Sequence, residues 1–153
     1  MGESIVNQFF EPAAFQSICY VYQAPSISLV VKGQHFFGLH QQFKKMYEET
    51  AVQLDELAER ILMIGGKPLA VMTKYVEQAS LQEASADDEE YEIMQQLLAD
   101  YEQMSAEIRE HGFELAKQCK DEPTLDVLVT LTATYEKYIW MLKAWQKENK
   151  SKS

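Results

Sequence analysis

The sequence predicts an all-α protein built as a bundle of four long helices. Apolar residues recur at spacings of three, four and seven along most of the chain, which is typical of helices with one buried side. Only six glycines and four prolines interrupt the 153 residues, and several lie where helices should begin or end. Apolar residues make up 46% of the chain and charged residues 25%, which indicates one globular domain over residues 1–153 and excludes disordered and fibrous classes.

The N-terminal third predicts a first helix, and the next segment predicts a longer one. In the first, Pro25 would kink the helix, and it interrupts a set of apolar residues at helical spacing: Phe15, Ile18, Tyr22 and Leu29. The second is predicted over residues 35–64 by this stripe: Phe36, Leu39, Phe43, Met46, Tyr47, Leu54, Leu57, Ala58, Ile61 and Leu62. Gly65-Gly66 should end it, because glycine adopts the left-handed C-cap conformation without strain.

A polar crossover of about twenty residues separates the second and third long helices. Pro68 suits the first turn of a short helix to Gln78, and Ser85 with Asp88 resembles a capping box. The third helix is predicted by this stripe: Tyr91, Met94, Leu98, Tyr101, Met104, Ile108, Leu115 and Cys119. Pro123 marks the start of the last helix, whose stripe is Leu128, Leu131, Tyr135, Tyr138, Leu142 and Trp145. A flexible lysine-bearing tail is predicted over residues 147–153.

The order of these elements predicts a particular bundle. Four long helices with one long connection between the second and third fit the ferritin-like arrangement. The short helix then lies within that connection.

Charge and cysteine content narrow the possible functions. Acidic residues outnumber basic ones 24 to 14, and the resulting net charge of −10 argues against a nucleic-acid-binding surface over the whole protein. No apolar run approaches the roughly 18 residues that a membrane span needs, and the N-terminus lacks the pattern of an export signal. Cys19 and Cys119 form no CxxC motif and are interpreted as reduced thiols of a cytoplasmic protein.

Three segments of the sequence are distinctive: KGQHFFGLHQQF, LDELAERILMIGGKPLAVMTKYVEQASL and IWMLKAW. They closely resemble the Dps family, the ferritin-like "DNA-binding proteins from starved cells", within a resemblance that covers about residues 31–146. The resemblance implies a hollow homo-oligomer, expected to be a dodecamer, that oxidises Fe(II) with hydrogen peroxide or oxygen and stores ferric iron. It also implies an iron site between two subunits, formed by His40 of one and by Asp55 and Glu59 of its two-fold partner.

The spacing of these three residues is consistent with that site. Asp55 and Glu59 are four residues apart and share one helical face, and imidazole with carboxylates suits Fe(II). His40 precedes Asp55 by fifteen residues, or about 22 Å along a helix, so one ion would need a second, antiparallel chain. The alternative interpretation is a solvated acidic face and an unrelated surface imidazole.

Two positions differ from the family pattern. Ser28 stands where the family's first histidine belongs, and Lys44 stands where an acidic residue belongs, one turn after His40. An ammonium group there would lie near the partner's Asp55 and Glu59 and compete with the metal ion. The differences predict weaker or absent ferroxidase activity for the chain as written.

A shifted reading frame would explain the first difference. Residues 28–33 can be encoded TCA CTG GTT GTA AAA GGA. Read from the second base with one T restored, this becomes CAC TGG TTT GTA AAA GGA, which encodes His-Trp-Phe-Val-Lys-Gly, the family's missing motif. We therefore infer that residues 8–30 are translated out of frame. The alternative is a natural, divergent first helix, against which Pro25 argues.

The resemblance also assigns Asp121, Glu122 and Asp126, at the start of the last helix, to a three-fold pore that admits Fe(II). Acidic residues at a narrow opening concentrate cations, although they also stabilise a helix N-terminus through its dipole. Weak, non-specific DNA binding is expected at most, through Lys147, Lys150 and Lys152 of the tail. A solvated end is the alternative.

These observations predict a cytoplasmic bacterial mini-ferritin that protects the cell and its DNA from oxidative damage, associated with the nucleoid if its tail binds DNA. A second interpretation is a catalytically impaired cage or DNA-protecting scaffold, because Ser28 and Lys44 replace metal ligands. A third is a monomeric helical bundle that serves interactions with other proteins.

Overall fold

The computed structural model describes residues 35–66 and 90–150, with side chains to residue 147, and this part of the chain contains helices and no strand. In chain order these are α1 (Phe36–Met63), α2 (Glu90–Glu107), a π-helical turn (Ile108–Gly112), α3 (Phe113–Gln118) and α4 (Glu122–Lys150). The all-α prediction is confirmed. The predicted first helix, the short helix over residues 68–78 and the capping box at Ser85 lie outside the described residues.

The described helices pack around α4, which contacts α1, α2, α3 and the π-helical turn, most extensively α2. α1 is the predicted second long helix, and α2, the π-helical turn and α3 together form the predicted third. The predicted tail begins at residue 147, whereas α4 continues to Lys150.

The buried side chains follow the predicted stripes closely. Those of α1 and α4 are almost inaccessible to solvent: Leu39, Phe43, Met46, Leu57, Ile61, Leu128, Leu131, Tyr135, Tyr138 and Leu142. Three fully buried tyrosines lie at the centre, where the ring of Tyr101 is 5.2 Å from that of Tyr135 and 5.3 Å from that of Tyr138. Two predicted core positions are wrong, because Leu62 is 59% exposed and Cys119 is also exposed.

Two helix ends have the same hydrogen-bonding pattern. After α1, Gly65 adopts φ 81°, the amide of Gly66 donates to Ile61 O at 2.8 Å, and that of Gly65 donates to Leu62 O at 3.0 Å. This is a Schellman C-cap, as Gly65-Gly66 predicted. After α3 the left-handed position is occupied instead by Lys120, at φ 54°. A lysine there is strained by contact between its Cβ and the backbone.

Candidate functional site

The three predicted metal ligands all lie on α1, on the part of its surface that does not pack into the core. Successive residues of an α-helix are rotated by about 100°, so His40, Lys44, Asp55 and Glu59 share an arc of about 100°. His40 is half-buried and stacks on Phe36, with ring centroids 5.5 Å apart and planes inclined by 22°. Packing of Phe36 against the core cluster therefore restricts the orientation of the imidazole.

The acid pair is open to solvent. Asp55 and Glu59 are both exposed, and within the described part of the chain neither makes a hydrogen bond or an ion pair. Their oxygen atoms are therefore available to a ligand. Residues 35–66 and 90–150 of one chain contain no group of three or more histidine, cysteine or acidic side chains that could hold a metal ion. One chain thus places His40 and the acid pair on one helix without bringing them together.

Lys44 lies on the same arc, between His40 and the acid pair in the chain. Its side chain is 56% exposed, and its Nζ lies 3.8 Å from Oε1 of Glu48. That separation is at the long end of the range for an ion pair, and exposed pairs of this kind contribute little to stability.

Large apolar side chains are also exposed on the outward face of α1, where they form a surface that was not predicted from the sequence. Phe37 is 80% exposed, Met63 70%, Val52 61% and Leu62 59%. On the helix these residues are interspersed with Lys44, Asp55 and Glu59. The signal in the sequence was the rotation of 100° per residue, which places positions 37, 52, 62 and 63 on one side of α1, away from the buried residues. Exposed apolar groups of this kind mark contact surfaces more often than single exposed residues do.

The acidic residues predicted to line a pore differ in their surroundings. Asp121 is the N-cap of α4, because its Oδ1 accepts a hydrogen bond from the Thr124 amide at 3.1 Å and its Oδ2 accepts one from Thr124 Oγ1 at 2.6 Å. Arg60 of α1 donates to Asp121 Oδ1 at 2.7 Å and to Thr124 Oγ1 at 2.9 Å. Glu122 and Asp126, in contrast, are exposed.

The pKa of Asp121 reflects these contacts. Burial alone would raise it, but the two hydrogen bonds from Thr124 and the charge and hydrogen bond of Arg60 more than offset that effect, and the pKa lies below its ordinary value. Asp121 is thus a charged group committed to joining α1 and α4.

A second carboxyl group, which the sequence did not single out, is buried in the bundle. Asp100 of α2 is 3% exposed, and its Oδ1 accepts a hydrogen bond of 2.7 Å from Gln96 Nε2. Burial raises the pKa of Asp100 to about 6, and the Gln96 hydrogen bond lowers it by less than burial raises it. Apolar spacing gave no signal for an acid at this position.

Polar contacts join α1 to the tyrosine cluster. The Tyr138 hydroxyl donates to Oε2 of Glu49, and Thr50 Oγ1 lies 3.4 Å from the Tyr101 hydroxyl while donating to Met46 O at 2.8 Å. These contacts fix the side of α1 that faces α4. They leave the arc of His40 and Asp55 facing away from the tyrosines.

Ser28 and residues 8–30, predicted to be out of frame, lie outside the described residues, so that hypothesis stays a prediction. Among the residues that the structure does describe, none of the helices has the length and apolar character needed to cross a membrane.

Comparison with known proteins identifies relatives over most of the chain. The profile of the ferritin-like domain matches residues 18–150. The chain is 44% identical over 115 residues to DNA protection during starvation protein 2 of Bacillus anthracis, which covers 75% of this chain and 78% of that one. It is 35% identical over 145 residues to general stress protein 20U of Bacillus subtilis (strain 168), which covers 95% and 99%.

Solved structures agree with these matches. A Dps protein from Bacillus brevis superposes with a TM-score of 0.90 at 29% identity, covering 95% of this chain and 97% of that one. A Dps protein from Vibrio cholerae O1, described as a member of a broad superfamily of ferritin-like diiron-carboxylate proteins, has a TM-score of 0.89 at 25% identity and covers 95% and 91%.

Proposed function

The chain belongs to the Dps family of ferritin-like proteins, and from that premise we propose that it is a mini-ferritin that oxidises Fe(II) and stores the ferric product inside a hollow homo-oligomer, a dodecamer. The proposed metal site lies between two subunits. His40 is contributed by one, and Asp55 and Glu59 by its two-fold partner.

The observation that supports this site best is the state of the acid pair on α1. Asp55 and Glu59 are exposed, lie one turn apart and have no hydrogen-bonding or ionic partner among the described residues. Two carboxylates so placed attract a divalent cation, and an imidazole from a second chain would complete a ligand set suited to iron. The exposed apolar residues on the same side of α1, Phe37, Val52, Leu62 and Met63, supply the surface that a second copy of α1 would bury.

The chemistry follows from the charge of the ligands. Two carboxylates interact more strongly with Fe(III) than with Fe(II), so they favour loss of an electron from the bound ion. Two Fe(II) ions, bound together or in succession, give two electrons to one hydrogen peroxide molecule, which takes up two protons and leaves as two water molecules. His40, held against Phe36, binds through a neutral nitrogen and adds no charge.

We propose further that Glu122 and Asp126 line the entry path for Fe(II). Both are exposed in the first two turns of α4, and negative potential beside a pore raises the local cation concentration. Their other effect, stabilising the helix N-terminus, operates at the same time. Replacing both, Glu122→Gln with Asp126→Asn, should slow iron uptake and leave the affinity of the metal site unchanged.

Anaerobic Fe(II) titration of the assembled full chain tests the metal site. Asp55→Asn and Glu59→Gln should each weaken binding about tenfold or more, since loss of a supporting partner alone has effects of that size. Glu56→Gln, which removes an exposed acid about 100° around α1 from Asp55, is the matched control and should bind as the unmodified chain does. Equal loss in all three variants would contradict the assignment.

Light scattering tests the assembly. The proposal requires a mass near twelve times that of the 17.6 kDa chain, and a monomer would contradict it.

A catalytically impaired cage or DNA-protecting scaffold is the second candidate function. The observation that favours it is Lys44, an exposed cation on the arc of the metal ligands, together with Ser28 in place of a histidine. Peroxide-driven oxidation of added Fe(II) distinguishes the two candidates, since an impaired cage would form the oligomer without accelerating the reaction. A gel shift at low salt, with and without residues 147–153, tests whether the tail binds DNA.

A further inference from the structure

We propose that Lys44 is a resident cation of the iron site, so that each site binds one Fe(II) ion where an acidic residue at this position would allow two. In the empty oligomer its ammonium pairs with the partner's Asp55. This inference rests on the proposed function, because it requires two copies of α1 to face each other in antiparallel orientation.

Helix geometry sets the position of Lys44 in such a pair. In two identical antiparallel helices, the numbers of facing residues have a constant sum. If His40 faces the midpoint of Asp55 and Glu59, that sum is about 97, and Lys44 faces position 53 of the partner. Position 53 is two residues from Asp55, or about 3 Å along the axis, and six residues from Glu59, or about 9 Å. The flexible four-carbon stem of lysine spans the shorter offset.

The direction of the side chain agrees with this position. Lys44 and Asp55 are eleven residues apart, which is three turns of an α-helix plus about 20°, so they project from nearly the same side of α1. Lys44 is 56% exposed, and its contact with Glu48 is long at 3.8 Å. A loose, solvated pair of this kind leaves the ammonium able to exchange Glu48 for the partner's Asp55 when two subunits meet.

The charge of the site then limits the number of metal ions. With a neutral His40, the positive charge of Lys44 and two carboxylates give a net charge of −1, which one Fe(II) ion changes to +1. A second Fe(II) ion would bring it to +3. An acid in place of Lys44, as in Lys44→Asp, would give a net charge of −3, and two Fe(II) ions would leave it at +1. A cation is repelled at short range in a partly buried site, where screening is weak.

A matched pair of lysines makes the test specific. Lys45 is also exposed and also pairs with a glutamate one turn on, with its Nζ 3.6 Å from Glu49 Oε1. It lies about 100° around α1 from Lys44 and about 40° beyond Glu59, so it shares the outward face of α1 but lies outside the arc of the metal ligands. Lys45→Gln therefore removes an equivalent charge from the same face and leaves the charges of the ligand arc unchanged.

The experiment is anaerobic titration of the assembled protein with Fe(II), with the number of ions per site measured directly. The unmodified chain and Lys45→Gln should bind one ion per site, and Lys44→Asp should bind two. Lys44→Gln should keep one ion and bind it about tenfold more tightly or better, because a like charge is removed. Thermal unfolding of the empty oligomer gives a second measurement, in which Lys44→Gln should lower the midpoint more than Lys45→Gln does.

The outcomes separate this inference from the proposed function. Two ions per site in the unmodified chain, or one ion in Lys44→Asp, would overturn the role of Lys44 and leave the iron site standing. Binding that is insensitive to Asp55→Asn, or no binding by any of these proteins, would overturn the site itself and the inference with it.

Discussion

Replacement of Asp100 by asparagine should stabilise the protein at neutral pH. The residue is 3% exposed in the core, and one hydrogen bond, from Gln96, partly compensates for burial of its carboxyl group. Burial raises its pKa to about 6 despite that bond. Folding at neutral pH thus places a group that is ionised in the unfolded chain into surroundings that favour its neutral form. Asparagine has nearly the same shape and keeps an oxygen that can accept from Gln96.

The magnitude follows from the two pKa values. The unfolded chain titrates near pH 4, about two pKa units below the folded one, and each unit corresponds to about 1.4 kcal/mol. Below pH 4 the group is protonated in both states and has no effect. Between pH 4 and about 6 the unfolded chain loses its proton first, so stability falls as pH rises. Above pH 6 the Asp100 carboxylate destabilises the folded protein by the full amount, and Asp100→Asn should recover up to about 3 kcal/mol of stability.

Thermal or denaturant unfolding at fixed protein concentration measures this, since subunit concentration affects the stability of an oligomer. Asp100→Asn should unfold at the same midpoint as the unmodified chain near pH 4 and at a higher one near pH 7.5. Asp126→Asn, at an exposed position of α4, is the control. A variant that is less stable than the unmodified chain near pH 7.5 would show that a cation pairs with Asp100 in the assembled protein, and the reasoning would fail.

Three other substitutions have definite expected effects on unfolding. Lys120→Gly should raise stability by about 0.5–1 kcal/mol, because Lys120 has φ 54° and glycine adopts this conformation without strain; a lower melting midpoint would contradict this. Asp121→Ala should lower stability by about 1–2 kcal/mol, because it removes the N-cap of α4 and the contact with Arg60. This difference in stability should shrink at low pH, where Asp121 of the unmodified chain becomes protonated. Tyr138→Phe should lower it by about 1–2 kcal/mol, since the hydroxyl donates to Glu49; an unchanged midpoint would show that the hydrogen bond contributes nothing.

The local features of the fold could be predicted from the sequence because they depend on residues close together in the chain. The boundaries of α1 follow from the apolar stripe and from Gly65-Gly66, whose Schellman hydrogen bonds close the helix. The start of α4 follows in the same way from Pro123, and Asp121, two residues earlier, caps the helix. Each of these signals extends over one or two helical turns.

The errors in the predicted core have two causes, a π-helical turn in the third helix and the rotation of an apolar stripe around α1. The π-helical turn Ile108–Gly112 contains more residues per turn than an α-helix, and nothing in the composition of this segment indicated it. It shifts the buried stripe by one residue, so Ala116 is buried while Leu115, predicted for the core, is half-buried and Cys119 is exposed. Leu62 fails for a different reason, because Leu54, Ala58 and Leu62 follow in steps of four residues, and each step rotates the position by about 40° around a regular helix.

The candidate site could be predicted only in part, because its residues are separated by more than half of one helix and would meet only between two chains. This arrangement has a mechanical consequence. His40 lies near the start of α1, and the acid pair lies near its end. In an antiparallel pair, a shift of each α1 along its own axis therefore moves the imidazole of one chain and the acids of the other in opposite directions. A shift of one residue, about 1.5 Å, changes their relative position by about 3 Å, which is more than a metal–ligand bond tolerates. The buried side chains that hold α1 in the core, among them Met46 and Leu57, therefore influence the geometry of the proposed site although they lie on the other side of the helix.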